Sequence, residues 1–188
     1  MSGGEPDQAR RAQLGAIARQ TQVPEDLAIE IMRQYLPDIP WPGSLVIAAV
    51  DIDDGAFVSW GADAGVSLVR AAAASSAIPG IFPPITIAGR RYMDGAIRSP
   101  TSADLAAGSD VLVIVAAPSR SEQSDRQIAE ETAEVRATGG AIVEIRPDAE
   151  SGVAFGPNSM DGSRQPLVFA AGFHQGHAAA SDVAARIG

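Results

Sequence analysis

An α/β fold with a mainly parallel sheet and flanking helices is what this sequence predicts. Three observations carry that prediction. The stretches "LVIAAV" (45–50), "VLVIVAA" (111–117) and "AIVEI" (141–145) are unbroken apolar runs of strand length. Such runs are typical of strands buried on both faces. A helical pattern over 122–138 separates the last two runs, and strand–helix–strand at these lengths reads as a parallel crossover unit. Finally, 188 residues with 46% hydrophobic content suit one domain, 1–188, with a sizeable core.

The elements follow in chain order. Residues 7–20 read as a polar helix with Leu14, Ile17 and Ala18 on one face. Pro24 opens a second helix, 24–36, and Glu25 and Asp26 suit the positive end of its dipole. Leu27, Ile31 and Tyr35 recur at i, i+4 and i+8, which predicts a core-facing stripe. "PDIPWPG" (37–43) has three prolines and must be a loop. After the first apolar strand, Asp54-Gly55 turns the chain back into "AFVSWG" as a hairpin. Residues 65–76 are Ala-rich and helical, and end before Pro79. "PPITIAG" and "RRYMDG" make a short ribbon around Gly89-Arg90. "SPTSADLAAG" gives a short helix capped by Gly108. The 122–138 helix stops at Gly139-Gly140, 147–165 reads as loop, and a last helix runs from about Pro166 to Arg186.

Composition removes several classes of chemistry. All 14 basic residues are Arg and there is no Cys, which rules out a Schiff-base lysine, a Ser-Lys dyad, a Gly-Lys phosphate loop and any thiolate. Arg and Ala without Lys points to a GC-rich bacterial genome. A net charge of −9 repels phosphate backbones, so nucleic acid is not an expected partner. No apolar run reaches the length of a membrane span, and "MSGGEPDQARRAQLG" lacks the apolar core of a secretory signal, so a cytoplasmic location is expected. No cofactor or metal is expected either.

The candidate site residues are few. Asp94-Gly95, taken alone, is an ordinary turn dipeptide. Asp51, Asp53 and Asp54 lack the alternating spacing and distant Glu of a calcium loop and read as a solvated hairpin. His174 and His177, the two histidines, lie i, i+3 with no HExxH-type frame, and read as surface or partner-facing. A late histidine after an acid does fit the chain order of an α/β-hydrolase, which keeps that alternative open. Ser75, Ser76 and Ser159 all lie outside a G-x-S-x-G elbow, and no such elbow occurs in the sequence.

"RAAAASSAIPGIFPPITIAGRRYMDGAIRSP" carries more information than any single residue. The block "ASSAIPGIFPP", a short strand and then "MDGA" resemble the second half of the patatin-like phospholipase family, at the expected separation. "LVIAAVDIDDGAFVSWG" before it and "TSADLAAGSDVLVIVAAP" after it extend the similarity over about 45–118. "RPDAESGVAFGPNSMDGSRQP" is similar to the C-terminal part of a bacterial branch of the family. The resemblance implies a cofactor-free serine hydrolase of acyl lipids or other esters. Its Ser-Asp dyad uses no histidine. Asp94 takes the place of the dyad base, in the motif Asp94-Gly95-Ala96, and Gly95 would let the backbone approach the serine elbow. The family's glycine-rich oxyanion loop and serine elbow have no counterpart in this sequence. The expectation is therefore the C-terminal part of such a domain, inactive alone, with a missing N-terminal half as partner. A non-catalytic interaction module and an α/β-hydrolase fragment are the alternatives.

Overall fold

The computed structural model describes residues 8–36, 39–116, 122–158 and 160–187. The chain divides into two compact units, Met1–Ser102 and Ala103–Gly188.

In the first unit, helices α1 (Gln8–Ala18) and α2 (Glu25–Tyr35) precede strands β1 (Ile47–Asp51) and β2 (Phe57–Trp60). Helix α3 (Leu68–Ser75) and strands β3 (Ile85–Ile87) and β4 (Arg90–Asp94) follow. The four strands form one sheet in the order β2-β1-β4-β3, and every pairing in it is antiparallel. Tight turns dictate this. β1 and β2 are joined through Gly55, whose φ of 69° is the left-handed conformation glycine adopts without a Cβ clash. β3 and β4 are joined by Ala88 and Gly89, both at positive φ, as a two-residue hairpin loop requires.

Alternation places Ala49 and Tyr92 on one face of the sheet, and Val50 and Met93 on the other. The first face packs under α2 and α3 in a cluster that includes Ile29, Ala71, Ala74, Ile85 and the Trp60–Tyr92 pair, whose rings meet edge to face at 4.9 Å. The second face packs Val50, Ile52 and Met93 against Ala18 and Leu14 of α1. Full burial of a side chain such as Ile85 or Met93 stabilises by about 1.5–3 kcal/mol.

The second unit holds the parallel pairing. Strands β5 (Val111–Val115) and β6 (Ala141–Ile145) run in register from Val111↔Ala141 to Val115↔Ile145. Between them the 122–138 segment divides into α4 (Glu122–Glu131) and α5 (Ala133–Ala137). The break falls at buried Thr132, whose hydroxyl donates to the Ile128 carbonyl at 2.7 Å, a back-bond that bends helices. Ala103, Ile114 and Ile128 form the core here, with Leu112, Ala116 and Ile142 packed against them. Helix α6 (Ala149–Phe155) lies inside the segment expected to be loop, and α7 (Gln165–Ile187) ends the chain. The Asp148 carboxylate caps α6 by accepting from the Ser151 N–H at 2.8 Å. Arg164 donates to the Ala154 and Val153 carbonyls at 2.6 and 2.7 Å, which satisfies the other end of that helix.

Two expectations are corrected. The fold is mixed α/β, but among the described residues parallel pairing is confined to β5 and β6. Of the apolar run 45–50, Leu45 and Val46 are exposed and precede β1, while Ala49 and Val50 sit in a central strand covered by helices on both faces, and burial of that kind does not specify strand direction. In β5, by contrast, Val113 and Val115 are exposed. The second correction concerns α2. Leu27, Ile31 and Tyr35 face outward at 51%, 36% and 67% exposure, while Ala28 and Ile29 are buried with Met32 beside them. Glu25 sets this rotation. Its carboxylate accepts from the Thr86 N–H at 2.9 Å, the Thr86 hydroxyl at 2.7 Å and Arg70 at 3.1 Å. Positions 25, 28, 29 and 32 therefore share the inward face. On α1, likewise, Ile17 is exposed while Leu14 and Ala18 pack inward.

Candidate functional site

β4 delivers Asp94 to its last position, opposite Ala49 of the central strand β1. There the strand turns into a short 3₁₀ segment, Gly95–Ile97, and the Asp94 carboxylate caps it by accepting from the Ala96 N–H at 2.8 Å. The main-chain N–H of Asp94 donates to the Ala77 carbonyl at 3.0 Å. Ala77 lies just beyond α3, in the "ASSAIPG" block, so the two sequence blocks singled out above are joined by a backbone hydrogen bond.

Gly95 is required by space. A Cβ there would sit 2.6 Å from the Ala48 carbonyl oxygen and 2.9 Å from its carbon. The expected role of this glycine was approach to a serine elbow. What it approaches among the described residues is the backbone of β1.

Asp94 is half-buried. Burial pushes its pKa above the ordinary carboxylate value, and the Ala96 N–H offsets only part of that rise. Among the described residues that N–H is the one hydrogen-bond donor to the carboxylate. One oxygen is thus held in place while the group keeps accepting capacity and raised basicity. A carboxylate in this state suits general-base work.

The acidic hairpin is not simply solvated. Asp51 is 1% exposed, and its carboxylate accepts from the Asp53 N–H at 2.8 Å and from Arg90 Nε at 2.6 Å. Arg90 also reaches Asp54 at 2.6 Å, which binds the β1–β2 turn to the start of β4. Arg19, just past the end of α1, pairs with Asp53, and Arg11 of α1 donates to the Gly55 carbonyl at 2.8 Å. Burial raises the pKa of Asp51, but Arg90 and the two backbone N–H groups of the turn outweigh it and hold the group below its usual value. A depressed folded-state pKa contributes stability that is present above the unfolded pKa of about 3.9 and is lost as pH falls through the folded value. Arg90→Ala strands the Asp51 carboxylate in its buried site. Its thermal midpoint is expected to fall most near pH 7, and the loss should shrink as pH falls through the folded-state value of Asp51. A pH-independent loss would show that the pair is not what Arg90 supplies.

The remaining candidates do other things. Ser75 ends α3, and Ser76 is its exposed C-terminal cap. Ser159 lies outside the described residues. His174 and His177 both stand on α7 in the second unit, where His174 pairs with Glu150 at 3.5 Å and His177 meets the Phe173 ring edge-on at 4.7 Å. Among the described residues no three His, Cys, Asp or Glu gather as a metal site, and no helix is long and apolar enough to cross a membrane. Sequence reasoning missed the Ala77 carbonyl and Arg90. Arg90 was detectable in principle, since it shares a strand face with Tyr92 and Asp94.

The family model for patatin-like phospholipase matches residues 14–107, half of the 188-residue chain. No curated relative matches. The matched span contains α2, α3, the whole four-stranded sheet and Asp94 with its turn. On this match and this site, the chain belongs to the patatin-like phospholipase family.

Proposed function

We propose that Asp94 is the general base of a Ser-Asp dyad that hydrolyses acyl lipids or related esters, with its serine on a segment other than these 188 residues. The observation that carries this reading is the state of Asp94: held by Ala96, seated against Ala77, and raised in basicity by burial. In the first half-reaction Asp94 takes the serine proton as the oxygen attacks the ester carbonyl, then gives it to the departing alcohol. In the second, it takes a proton from water, the resulting hydroxide displaces the acyl group as free acid, and the proton returns to the serine. The oxyanion donors belong with the serine segment, because no glycine-rich anion cradle occurs in this sequence.

The test has two parts. The 188-residue protein alone is expected to leave a fluorophosphonate probe unreacted and to show background hydrolysis of a p-nitrophenyl ester. Fusion or co-expression with a family segment carrying G-x-S-x-G should give both labelling and turnover. Stoichiometric labelling of the chain alone at any serine would show a nucleophile that this reading lacks. A folded fusion without turnover would favour a non-catalytic interaction module.

A further inference from the structure

The second unit contains a cleft of about 570 Å³ at the carboxyl ends of β5 and β6. That volume lies within the range of about 300–1,000 Å³ usual for small-molecule sites, and strand carboxyl ends are where parallel sheets usually present ligands. Its walls are mainly aliphatic, with Val115, Ile145, Pro147 and Val168 among them. α7 forms one side through Gly172 and Gly176, spaced one turn apart. Gly is among the poorest helix formers. Neither position has a left-handed φ, and a Cβ at either would meet nothing within 4 Å. Conformation and close packing therefore do not account for these glycines. What they do is leave the side of the cleft open.

The polar groups define the other end of a ligand. Buried Ser151 donates its hydroxyl to Gln175 Oε1 at 3.0 Å, and Gln175 Nε2 donates to the Arg146 carbonyl. That leaves the oxygen lone pairs of Ser151 and the second N–H of Gln175, one acceptor and one donor. Arg146, also on the wall, spends its charge on Glu144 and Asp125, both at 2.5 Å. Two carboxylates on one guanidinium leave no surplus positive charge for an anionic head. We infer that this cleft binds a single aliphatic chain with an uncharged hydroxyl or carbonyl head. The inference rests on the second unit alone and is independent of the role of Asp94.

The experiment uses the 188-residue protein and the neutral fluorophore N-phenyl-1-naphthylamine, displaced by 1-decanol or by decanoate. Saturable one-site binding is expected, with 1-decanol effective at concentrations at least tenfold below decanoate. Gly172→Leu fills the cleft and should weaken the fluorophore and 1-decanol at least tenfold without lowering the thermal midpoint. Should that variant unfold, Gly176→Leu makes the same test from the adjacent turn. Phe169→Ser with Phe173→Ser, on the exposed side of α7, and Asp94→Asn should both leave binding intact. Wild-type binding by a folded leucine variant would overturn the site, as would loss in the Phe169/Phe173 variant instead. Equal displacement by decanoate would overturn the uncharged head.

Discussion

Asp94→Asn, in a protein that carries the serine segment, is expected to lower ester hydrolysis by about 10²-fold or more and, at the same time, to raise thermal stability at pH 7. Asparagine keeps the shape and can still accept from the Ala96 N–H, so the turn survives. What goes is the proposed base. The stability change follows from the direction of the pKa. Asp94 is raised in the folded state by burial. Such a group favours the fold below the unfolded pKa, and that advantage disappears as pH rises through the folded value. Above that value the folded chain carries an ionised carboxylate in a setting that disfavours the charge. Asparagine removes that cost. The gain in midpoint should shrink towards pH 3, where the wild-type group is protonated. Loss of rate together with gain of stability is the signature of a group kept for chemistry. A variant that hydrolyses esters at the wild-type rate would remove Asp94 from the mechanism. One that is less stable at pH 7 would mean that the carboxylate is a structural cap.

How far the sequence discloses this molecule depends on which interactions set each element. β1, the hairpin at Gly55 and the ribbon ending at Asp94 were legible because turn chemistry and apolar runs are local signals. Strand direction was not, because two-sided burial writes the same apolar run in parallel and antiparallel sheets. The rotation of α2 was misread for a related reason. Leu27, Ile31 and Tyr35 make a regular stripe, yet the helix is fixed by a polar anchor, Glu25 on Thr86, 61 residues away in the chain. Helix α6 did carry a local signal, Asp148 as cap and Gly156 just past the end, within a segment read as loop. Asp94 is singled out only by family resemblance, since Asp-Gly alone marks a common turn. Its half-buried seat and the Ala77 contact are tertiary facts, and no spacing rule contains them.

Gly95→Ala tests whether the motif glycine has the role that the close approach gives it. The added methyl carbon would lie 2.6 Å from the Ala48 oxygen and 2.9 Å from its carbon, and both are backbone atoms with no rotamer to yield. β1 cannot retreat easily, because β2 and β4 pair with it on its two edges. The end of β4 has to move instead. That shift strains the Asp94 N–H bond to the Ala77 carbonyl and tilts the carboxylate that Ala96 holds. Overpacking of this kind costs about 1–3 kcal/mol, and Gly95→Val should lie at the upper end or beyond. Ala96→Val, one residue on and exposed, should change stability by no more than about 0.5 kcal/mol. Urea midpoints of the 188-residue protein measure all three. In the protein with its serine segment, Gly95→Ala should also lose turnover beyond what its stability loss explains, because the base is displaced with the strand end. Wild-type midpoint and turnover for Gly95→Ala would mean that β4 and β1 have room to spare, and that the glycine of the motif answers to a surface other than β1.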